Sequence, residues 1–387
     1  MDELERQTTI FNSSCAQCQI FKACGGSNIS APCGCFQKGN RRYDCVNCEY
    51  ICRERHVEYR GEVVNSFSHH HVTGRDIEHI QLNQLGSIPS FPLLIPTKTH
   101  NLRVDHSLEI DWVGIEIDRI LSLFNKLPRM PQKSSLTPKA FRELAQVGER
   151  TKVIVVLNGV DSKLEKFWGM DRLQLYEMME KSSVNAVTGP TFSIYDQTTG
   201  GYPMAESHRV TMMRRHFRVI QELSDNEFFT IPNVYFRNQY DIDRWINWLK
   251  GNKSIKVLSR DLTCTRSGKE FESYLQQLIE LIKGTHRSFH VLFQGISASK
   301  ADYVIRKMSE INCTCSLITS DPIIKGSNGY EFVFRGKERP ITKKQPNHHW
   351  SQIATQNIKV LNDYLKALVS EMPIYSSGQQ MNRLDVK

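Results

Sequence analysis

Short apolar runs recur along most of this chain, and each ends in polar residues. The run FFTIPNVYFR, Phe228–Arg237, is too short for a helix and is rich in residues that favour strands. Because side chains alternate across a strand, Asn233, Tyr235 and Arg237 fall on one face of its last part. A strand buried at its start would therefore present an amide, a phenol and a guanidinium together at its carboxyl end.

Seven other runs repeat this design and predict one α/β sheet. Helix-like stretches separate most of them, and strands that alternate with helices favour a parallel sheet. Eight strands within about 250 residues is the number expected of a closed, TIM-like (β/α)8 barrel, and a doubly wound sheet is the alternative. In either fold the chemistry lies at the carboxyl ends of the strands. The seven runs are Ser90–Pro96, Leu108–Ile115, Val153–Asn158, Asn185–Tyr195, Ile255–Ser259, Phe289–Gly295 and Cys315–Ser320.

The chain of 387 residues, 40% of them hydrophobic, is long enough for one large domain and a smaller one. The pattern predicts a cysteine-rich metal-binding module at residues 1–60, a polar connector at 61–86 and an α/β barrel at 87–335. A basic loop, a C-terminal helix and a tail are predicted for residues 336–387. No run of 18 apolar residues occurs and the first residues are acidic and polar, so we expect a cytoplasmic protein that does not associate with membranes.

The net charge of +9 makes an anionic partner, DNA or RNA, a reasonable expectation. Arg335–Pro346 is a basic, proline-punctuated stretch in which Lys343 and Lys344 could follow a phosphate backbone. An equally basic surface can serve solubility alone. Charge therefore favours nucleic acid without identifying it, and it says nothing about the oligomeric state.

Eight of the eleven cysteines fall within the first 52 residues. With few cysteines elsewhere and no export signal, metal ligation explains them better than a disulfide framework. Eight thiolates are two sets of four, which suits two iron–sulfur clusters or two zinc sites. The spacing from Cys15 to Cys24 resembles the auxiliary iron–sulfur segment of twitch-type maturase domains, which favours iron–sulfur with zinc as the alternative. The predicted ligands are Cys15, Cys18, Cys24, Cys33, Cys35, Cys45, Cys48 and Cys52.

Three carboxylates at predicted strand ends, Asp111, Asp261 and Asp321, are candidates for catalysis. Acid–base or nucleophilic chemistry needs such groups within hydrogen-bond reach of one another, and barrel strand ends supply that geometry. Polar residues at the same strand ends are candidates for substrate binding. They are Ser193, Tyr195, Asn233, Tyr235, Arg237, Arg260 and Gln294.

Several blocks of the chain resemble a family of uncharacterised bacterial and phage proteins known only as a domain of unknown function. The blocks are GPTFSIY, IPNVYFRN, DIDRWINWL, FQGIS and SLITSDP, and the resemblance covers about Ser87–Lys325. It implies no particular activity.

The runs LFQGIS and CTCSLITSDP and the late helix IATQNIKVLNDYLKALV resemble, more distantly, the tRNA-guanine transglycosylase superfamily, which includes enzymes that insert deazaguanines into DNA. The resemblance implies a barrel that exchanges a base through an aspartate nucleophile on the eighth strand. The sequence departs from that pattern, because Thr314 stands where this aspartate would align and no Asp-Ser-Gly-Gly block occurs. Cys313 and Cys315 also lie within the strand itself and not in a later zinc loop.

Three functions remain open from the sequence. The first is a metal-containing barrel enzyme that exchanges bases in DNA or tRNA, which predicts a polar pocket at the strand ends. The second is a non-catalytic nucleic-acid-binding protein of a phage or defence system, which predicts a filled barrel mouth. The third is an iron–sulfur redox enzyme that acts on a small molecule.

Replacing Cys18 or Cys48 by Ser should release metal and unfold the first 60 residues, because metal binding and folding are coupled in so small a module. Metal analysis and an optical spectrum of anaerobically purified protein measure this. A broad visible absorbance identifies iron–sulfur, and zinc without colour identifies zinc. Cys264→Ser, outside the cluster, is the control and should keep its metal. Full metal content in both cluster variants would contradict the assignment.

Overall fold

The structure is a computed structural model that describes residues 80–82, 84, 88–98, 110–126, 142–143, 145, 147–192, 194, 206–265, 267–333, 340–345 and 349–376. The predicted cysteine module with its eight ligands, together with Ser193 and Tyr195, lies outside the described residues. The chain divides into two compact units. The sheet unit comprises Leu82–Thr191, Glu222–Tyr235 and Asn252–Lys387, and the described part of the helical unit comprises residues 80, 81, 192, 194, 206–221 and 236–251.

Eight parallel strands form one barrel-like sheet in the sheet unit. They are β1 Leu94–Lys98, β2 Trp112–Glu116, β3 Lys152–Val156, β4 Ala186–Thr188, β5 Thr230–Ile231, β6 Val257–Asp261, β7 His290–Gln294 and β8 Thr314–Thr319. Hydrogen-bonded neighbours follow the order β5-β4-β3-β2-β1-β8-β7-β6. Each strand overlaps one of the eight predicted runs, so the predicted α/β barrel architecture is confirmed as a parallel, barrel-like sheet.

The two edge strands of this order, β5 and β6, meet along a short seam. Asn233, just after β5, bridges to Ser259 of β6 in parallel. The N–H of Val234 donates to the Ser259 carbonyl and the N–H of Ser259 donates to the Pro232 carbonyl, both at 2.8 Å. The sheet thus closes on itself, although β5 contributes only two strand residues.

The side chain of Gln84 completes the seam where the strands themselves do not pair. Its Nε2 donates to the carbonyls of Thr230 at 3.2 Å and Val257 at 2.9 Å. Its Oε1 accepts from the N–H groups of Lys256 at 2.8 Å and Val257 at 3.1 Å. The buried side-chain amide of Gln84 therefore makes the hydrogen bonds that a short additional strand would make. The barrel thus includes a residue that the sequence assigned to the connector at 61–86.

Alternate residues of the strands fill the barrel with apolar side chains. Gly114 of β2 makes room among them, because an added Cβ there would lie 2.5 Å from Cγ2 of Thr97 and 3.5 Å from Cγ2 of Val156. Each fully buried Ile, Leu or Val contributes on the order of 1.5–3 kcal/mol to folding. The interior cluster includes Phe91, Ile95, Trp112, Ile154, Val156, Ala186, Phe229, Ile231, Val257, Leu292 and Ile318.

Helices follow most of the strands, as the alternating pattern predicts. They are α1 Ile117–Lys126, α2 Asp161–Gly169, α3 Arg172–Lys181, α4 Glu206–Asp225, α5 Gln239–Gly251, α6 Gly268–Thr285, α7 Ala298–Ser309, α8 Asp321–Ser327, α9 Trp350–Val369 and α10 Pro373–Ser376. Within the described part of the chain, none of these helices has the length and apolar character needed to cross a membrane.

The C-terminal part of the sheet unit packs on the end of β8. Asn357 of α9 accepts from the Phe332 N–H at 2.5 Å and donates to the carbonyls of Tyr330 at 2.9 Å and Pro322 at 3.1 Å. These bonds hold a hairpin of β9, Tyr330–Val333, and β10, Ile341–Lys344. Lys343 and Lys344, predicted in a basic loop, therefore lie on an exposed strand.

The helical unit is held by an aromatic cluster between α4 and α5. The ring of Phe217 lies 4.9 Å from that of Trp245 and 5.0 Å from that of Trp248, and His216 meets Trp245 edge-on at 5.6 Å. Trp248 Nε1 donates to the Ile80 carbonyl at 2.9 Å.

The basic residues at the centre of α4, in the run RVTMMRRHFR, do not form a solvated outer face. Arg214, Arg215 and His216 are all buried. The Arg215 guanidinium lies 5.6 Å from the centre of the Phe192 ring, an arrangement that attracts a cation to an aromatic face. Charge pattern alone cannot separate such a buried arginine from a solvated one.

Replacing Gln84 by Met should destabilise the sheet unit by about 2–4 kcal/mol, because it leaves buried backbone N–H and C=O groups of β5 and β6 without partners. Urea unfolding measures the change. Gln276→Met, on the exposed face of α6, is the matched control and should stay within about 0.5 kcal/mol of the wild type. Equal stability of the two variants would show that the seam does not depend on this amide.

Candidate active site

The side chains that face the barrel interior change from apolar to polar near the carboxyl ends of the strands. Val156 is a core residue of β3, and Asn158 follows two positions later; the same step leads from Ile231 to Asn233 and from Leu292 to Gln294. Residues two apart on a strand face the same side, so these polar side chains lie at the carboxyl end of the barrel interior. This ring, called the mouth below, consists of Thr97, Glu116, Asn158, Asn233, Asp261 and Gln294.

Asn158 connects the mouth. Its Oδ1 accepts hydrogen bonds from the Thr191 N–H at 3.1 Å, the Thr191 hydroxyl at 2.9 Å and Asn233 Nδ2 at 2.9 Å. Its Nδ2 donates to Asp261 Oδ2 at 3.2 Å and to Gln294 Oε1. A backbone N–H can only donate, so Thr191 determines which end of the Asn158 amide carries the oxygen.

The orientation of Asn158 sets that of the other two amides. Because Asn158 Nδ2 donates to Gln294 Oε1, Gln294 Nε2 points the other way and donates to Ser259 Oγ at 2.8 Å. Asn233 Nδ2 donates to both Asn158 Oδ1 and Thr191 Oγ1, the latter at 2.7 Å. Asn233 Oδ1 is then buried and accepts no hydrogen bond from any described residue.

Asp261 is held from two sides. Oδ2 accepts from Asn158, and Oδ1 accepts from the Thr263 N–H at 2.8 Å and from the Thr263 hydroxyl. Gly295, with φ +74°, passes so close that an added Cβ would lie 2.5 Å from Thr263 Cα. Only glycine fits there without moving the turn that holds Asp261.

Glu116 ends β2 on the same interior face. Burial raises the pKa of Glu116 from its ordinary 4.5 to about 7; a hydrogen bond from Thr97 lowers it, and the negative charges of Asp118 and Asp261 raise it. A carboxyl group whose pKa lies near neutral pH can both give and accept a proton there, which suits a general acid or base. The carboxylate of Asp261 lies close enough to influence that proton.

The structure brings Asp261, Asn233 and Gln294 together, as their predicted strand ends imply. Asp321 lies at the same end of the sheet, as the first residue of α8, directly after β8. Burial raises the pKa of Asp321, and the positive charge of Lys325 lowers it. Catalytic and binding roles for these residues stay predictions.

The prediction that Asp111 lies at a strand exit is wrong. It precedes β2, is exposed, and its carbonyl accepts from the N–H of Lys152 at the start of β3. Asp111 therefore lies at the amino end of the sheet, opposite Asp261. The sequence pattern predicted that this strand begins and ends too early. Asp111 was therefore predicted at the carboxyl end of the strand, where the structure has Glu116.

Arg260 is also misplaced by the prediction. It alternates with Ser259 and Asp261 along β6 and points away from the barrel interior. Its Nη1 donates to the Val234 carbonyl at 2.7 Å, and its guanidinium lies 5.4 Å from the centre of the Tyr274 ring on α6. A role in fixing the seam fits this position better than substrate binding.

Two further residues predicted to bind substrate, Tyr235 and Arg237, are buried or hydrogen-bonded within the protein. Tyr235 is buried in the sheet unit, two residues beyond Asn233. Arg237 belongs to the helical unit, where its Nε donates to the Ile194 carbonyl at 2.7 Å and its N–H donates to Asp241 at 3.0 Å.

Thr314, which the resemblance to the transglycosylases placed at the nucleophile position, is not in the mouth. Thr314 begins β8, at the amino end of the barrel, and its hydroxyl lies 2.8 Å from His290 Nδ1. His290 Nε2 lies 3.0 Å from Ser316 Oγ, and burial lowers the pKa of His290 to about 4. This neutral histidine, stacked on Phe91, forms a polar floor of the barrel that is far from the strand exits.

Glu116, Asn158, Thr97 and Thr191 are members of the site that were not among the predicted site residues. The signal for Glu116 and Asn158 was present, because each is the first polar residue two positions beyond an interior-facing residue of its strand. Among the described residues, no group of three or more His, Cys, Asp or Glu side chains could hold a metal ion. The metal prediction rests on the cysteines at residues 15–52, outside the described part.

Glu116 should make the folded protein less stable as the pH rises. The folded state binds its proton up to a pKa of about 7, whereas the ordinary value is 4.5, so folding takes up a proton between these values. Stability is therefore highest below pH 4.5 for this group and falls by up to about 3 kcal/mol as the pH rises through 7. Urea unfolding of wild type and Glu116→Gln at pH 5 and pH 8 measures this.

Glu116→Gln should remove most of this slope and be the more stable protein at pH 8. The exposed Asp111→Asn serves as control and should follow the wild type. A wild-type slope that persists unchanged in Glu116→Gln would show that Glu116 does not carry the proton.

The comparisons with known proteins assign this chain to no family. No protein-family model matches the chain, and no curated protein matches it in sequence. Both family resemblances therefore stay predictions, and the arguments about function rest on the mouth itself.

Proposed function

We propose that the mouth exchanges or cleaves a base at its glycosidic bond, with DNA or tRNA as the substrate. The observation that carries this proposal is that two carboxyl groups from different strands, Glu116 and Asp261, lie at the carboxyl end of a barrel-like sheet, where the charge of Asp261 raises the pKa of Glu116. Two carboxyl groups that flank the scissile bond are the general equipment for breaking glycosidic bonds.

Asp261 serves as the nucleophile. Its carboxylate attacks the sugar C1′, the bond from C1′ to the base breaks, and the bond electrons leave with the base. Asn158 and Thr263 hold the carboxylate in one orientation, which limits the entropy that the attack costs. An incoming base then attacks C1′ and expels the Asp261 carboxylate, which completes an exchange; water in its place gives cleavage.

Glu116 serves as the general acid and base. It delivers its proton to the departing base and receives one from the incoming base, so that no net proton is consumed in an exchange. A group whose pKa lies near 7 can do both at neutral pH. The negative charges of the mouth also favour the positive charge that develops on the sugar as the bond breaks.

Nucleic acid as the partner is supported by charge. The chain carries a net charge of +9, and Lys343 and Lys344 lie on the exposed strand β10. Lysines on such a surface can follow phosphates without selecting a sequence. The cysteine module, with iron–sulfur or zinc, would add the basic residues Arg41, Arg42, Arg53 and Arg55, which lie among or just after its ligands.

Activity is measured by incubating the full chain with DNA or unmodified tRNA and radiolabelled bases, and by following both label incorporation and release of free base. Glu116→Gln and Asp261→Asn should each lower the rate by at least about 100-fold, the usual contribution of a general acid, and leave nucleic-acid affinity unchanged. Asp111→Asn, at the other end of β2, should keep full activity.

Asp321→Asn separates the two nucleophile candidates. Loss of activity in this variant alone would move the nucleophile to the end of β8. Full activity in both Glu116→Gln and Asp261→Asn would contradict a catalytic mouth.

A further inference from the structure

We propose that the mouth binds a cationic nitrogen group with at least two N–H donors, such as an amidinium. The inference rests on the proposed function in placing the substrate at the mouth, and it adds the chemistry of the group that is recognised there. Its basis is an excess of hydrogen-bond acceptors over donors in the network around Asn158.

Most donors of the mouth are already committed within the protein. Both hydrogens of Asn158 Nδ2 and both of Asn233 Nδ2 are donated to neighbouring side chains. The hydroxyl of Thr191 donates to Asn158, and that of Thr263 donates to Asp261. Gln294 gives one hydrogen to Ser259 and retains the other.

Two oxygen atoms of the network, Asn233 Oδ1 and Asp261 Oδ2, can each accept a further hydrogen bond. Asn233 is fully buried, and its Oδ1 accepts from none of the described residues. Buried acceptors in folded proteins are normally satisfied, so this oxygen is a place for a donor that the described protein groups do not supply. Asp261 Oδ2 accepts one bond, from Asn158, and a carboxylate oxygen can accept two.

Charge points in the same direction as hydrogen bonding. Glu116 is influenced by the negative charges of Asp118 on α1 and Asp261 on β6, both of which oppose its ionisation. Lys163 of α2 offsets this only in part, because its Nζ lies 3.7 Å from Asp118 Oδ1 and its side chain is 39% exposed. A cation in the mouth would relieve the repulsion between the carboxylates.

The acceptors of the mouth suit a planar organic cation. A planar amidinium presents two parallel N–H groups, which match the two oxygens of a carboxylate or a carboxylate with a neighbouring amide oxygen. Asp261 Oδ2, which accepts one bond, and Asn233 Oδ1, which accepts none from the described residues, are the acceptors that such a cation would contact.

Two series of small probes test the proposal without nucleic acid or turnover. Benzamidine, benzamide and benzoate share one shape and differ in charge, and acetamidine, acetamide and acetate repeat the comparison without the ring. Calorimetry or ligand-observed NMR on the full chain should show at least one amidine binding about tenfold or more tightly than its neutral amide, and the acid binding least. If neither amidine binds more tightly than its amide, the proposal is overturned.

The pH dependence identifies the site. Both amidines stay protonated between pH 5.5 and 8.5, so their affinity should rise several-fold over this range as Glu116 ionises. Glu116→Gln should abolish the rise, and Asp261→Asn should weaken binding about tenfold at both pH values. Asp111→Asn removes the same charge at the far end of β2 and should bind as the wild type does.

If amidine binding is unchanged in Glu116→Gln and Asp261→Asn but is lost in Asp111→Asn, the cation binds elsewhere and the proposal is overturned. The probe experiment is independent of the base-exchange assay. Probe binding without base exchange would refute only the proposed function, and base exchange without a preference for amidines would refute only this inference.

Discussion

The hydrogen bond from the Thr191 N–H to Asn158 Oδ1 is the constraint on which the mouth depends. A side-chain amide can be turned either way, but a backbone N–H can only donate, so this bond fixes one amide and then the two that follow it. Asp261 is held by the last free hydrogen of Asn158. One backbone group after β4 thereby orients side chains that come from the ends of β3, β5, β6 and β7.

Closure of the barrel makes this arrangement possible. The amides of Asn158 and Asn233 and the carboxylate of Asp261 can meet only because the sheet curls until β5 reaches β6. The seam is the weakest part of that closure, since β5 has two residues, and Gln84 supplies from its side chain the hydrogen bonds that a longer strand would make. A site residue such as Asn233, which itself bridges to Ser259, is therefore part of the fold as well as of the mouth.

Hydrophobic pattern predicted the eight strands well, because each strand buries enough apolar side chains to stand out. It predicted their ends less well. The error at β2 exchanged Asp111 for Glu116, since a carboxylate before an apolar run and one after it look alike in the sequence. Arg260 shows a second limit, because only the register along β6 separates a side chain in the mouth from one on the outer face. The alternation between Ser259, Arg260 and Asp261 was visible in the sequence, but the direction of the interior was not.

The long-range relations could not be read from the chain at all. Gln84 lies 146 positions from Thr230 and 173 positions from Val257 of the seam, and the Thr191–Asn158 bond joins two loops whose sequences look ordinary. The buried arginines of α4 were hidden for a similar reason, because Phe192 comes to Arg215 only in the folded helical unit.

The central claim is that Glu116 holds its proton near neutral pH chiefly because it is buried, with a smaller contribution to its pKa from the negative charge of Asp261. A carbon-13 NMR titration of the glutamate side-chain carboxyls, with the Glu116 signal assigned by its loss in Glu116→Gln, tests this directly. The account predicts that the Glu116 pKa is about 7 in the wild type and is lower in Asp261→Asn, where the neighbouring negative charge is gone. A wild-type midpoint near the ordinary 4.5 would contradict it.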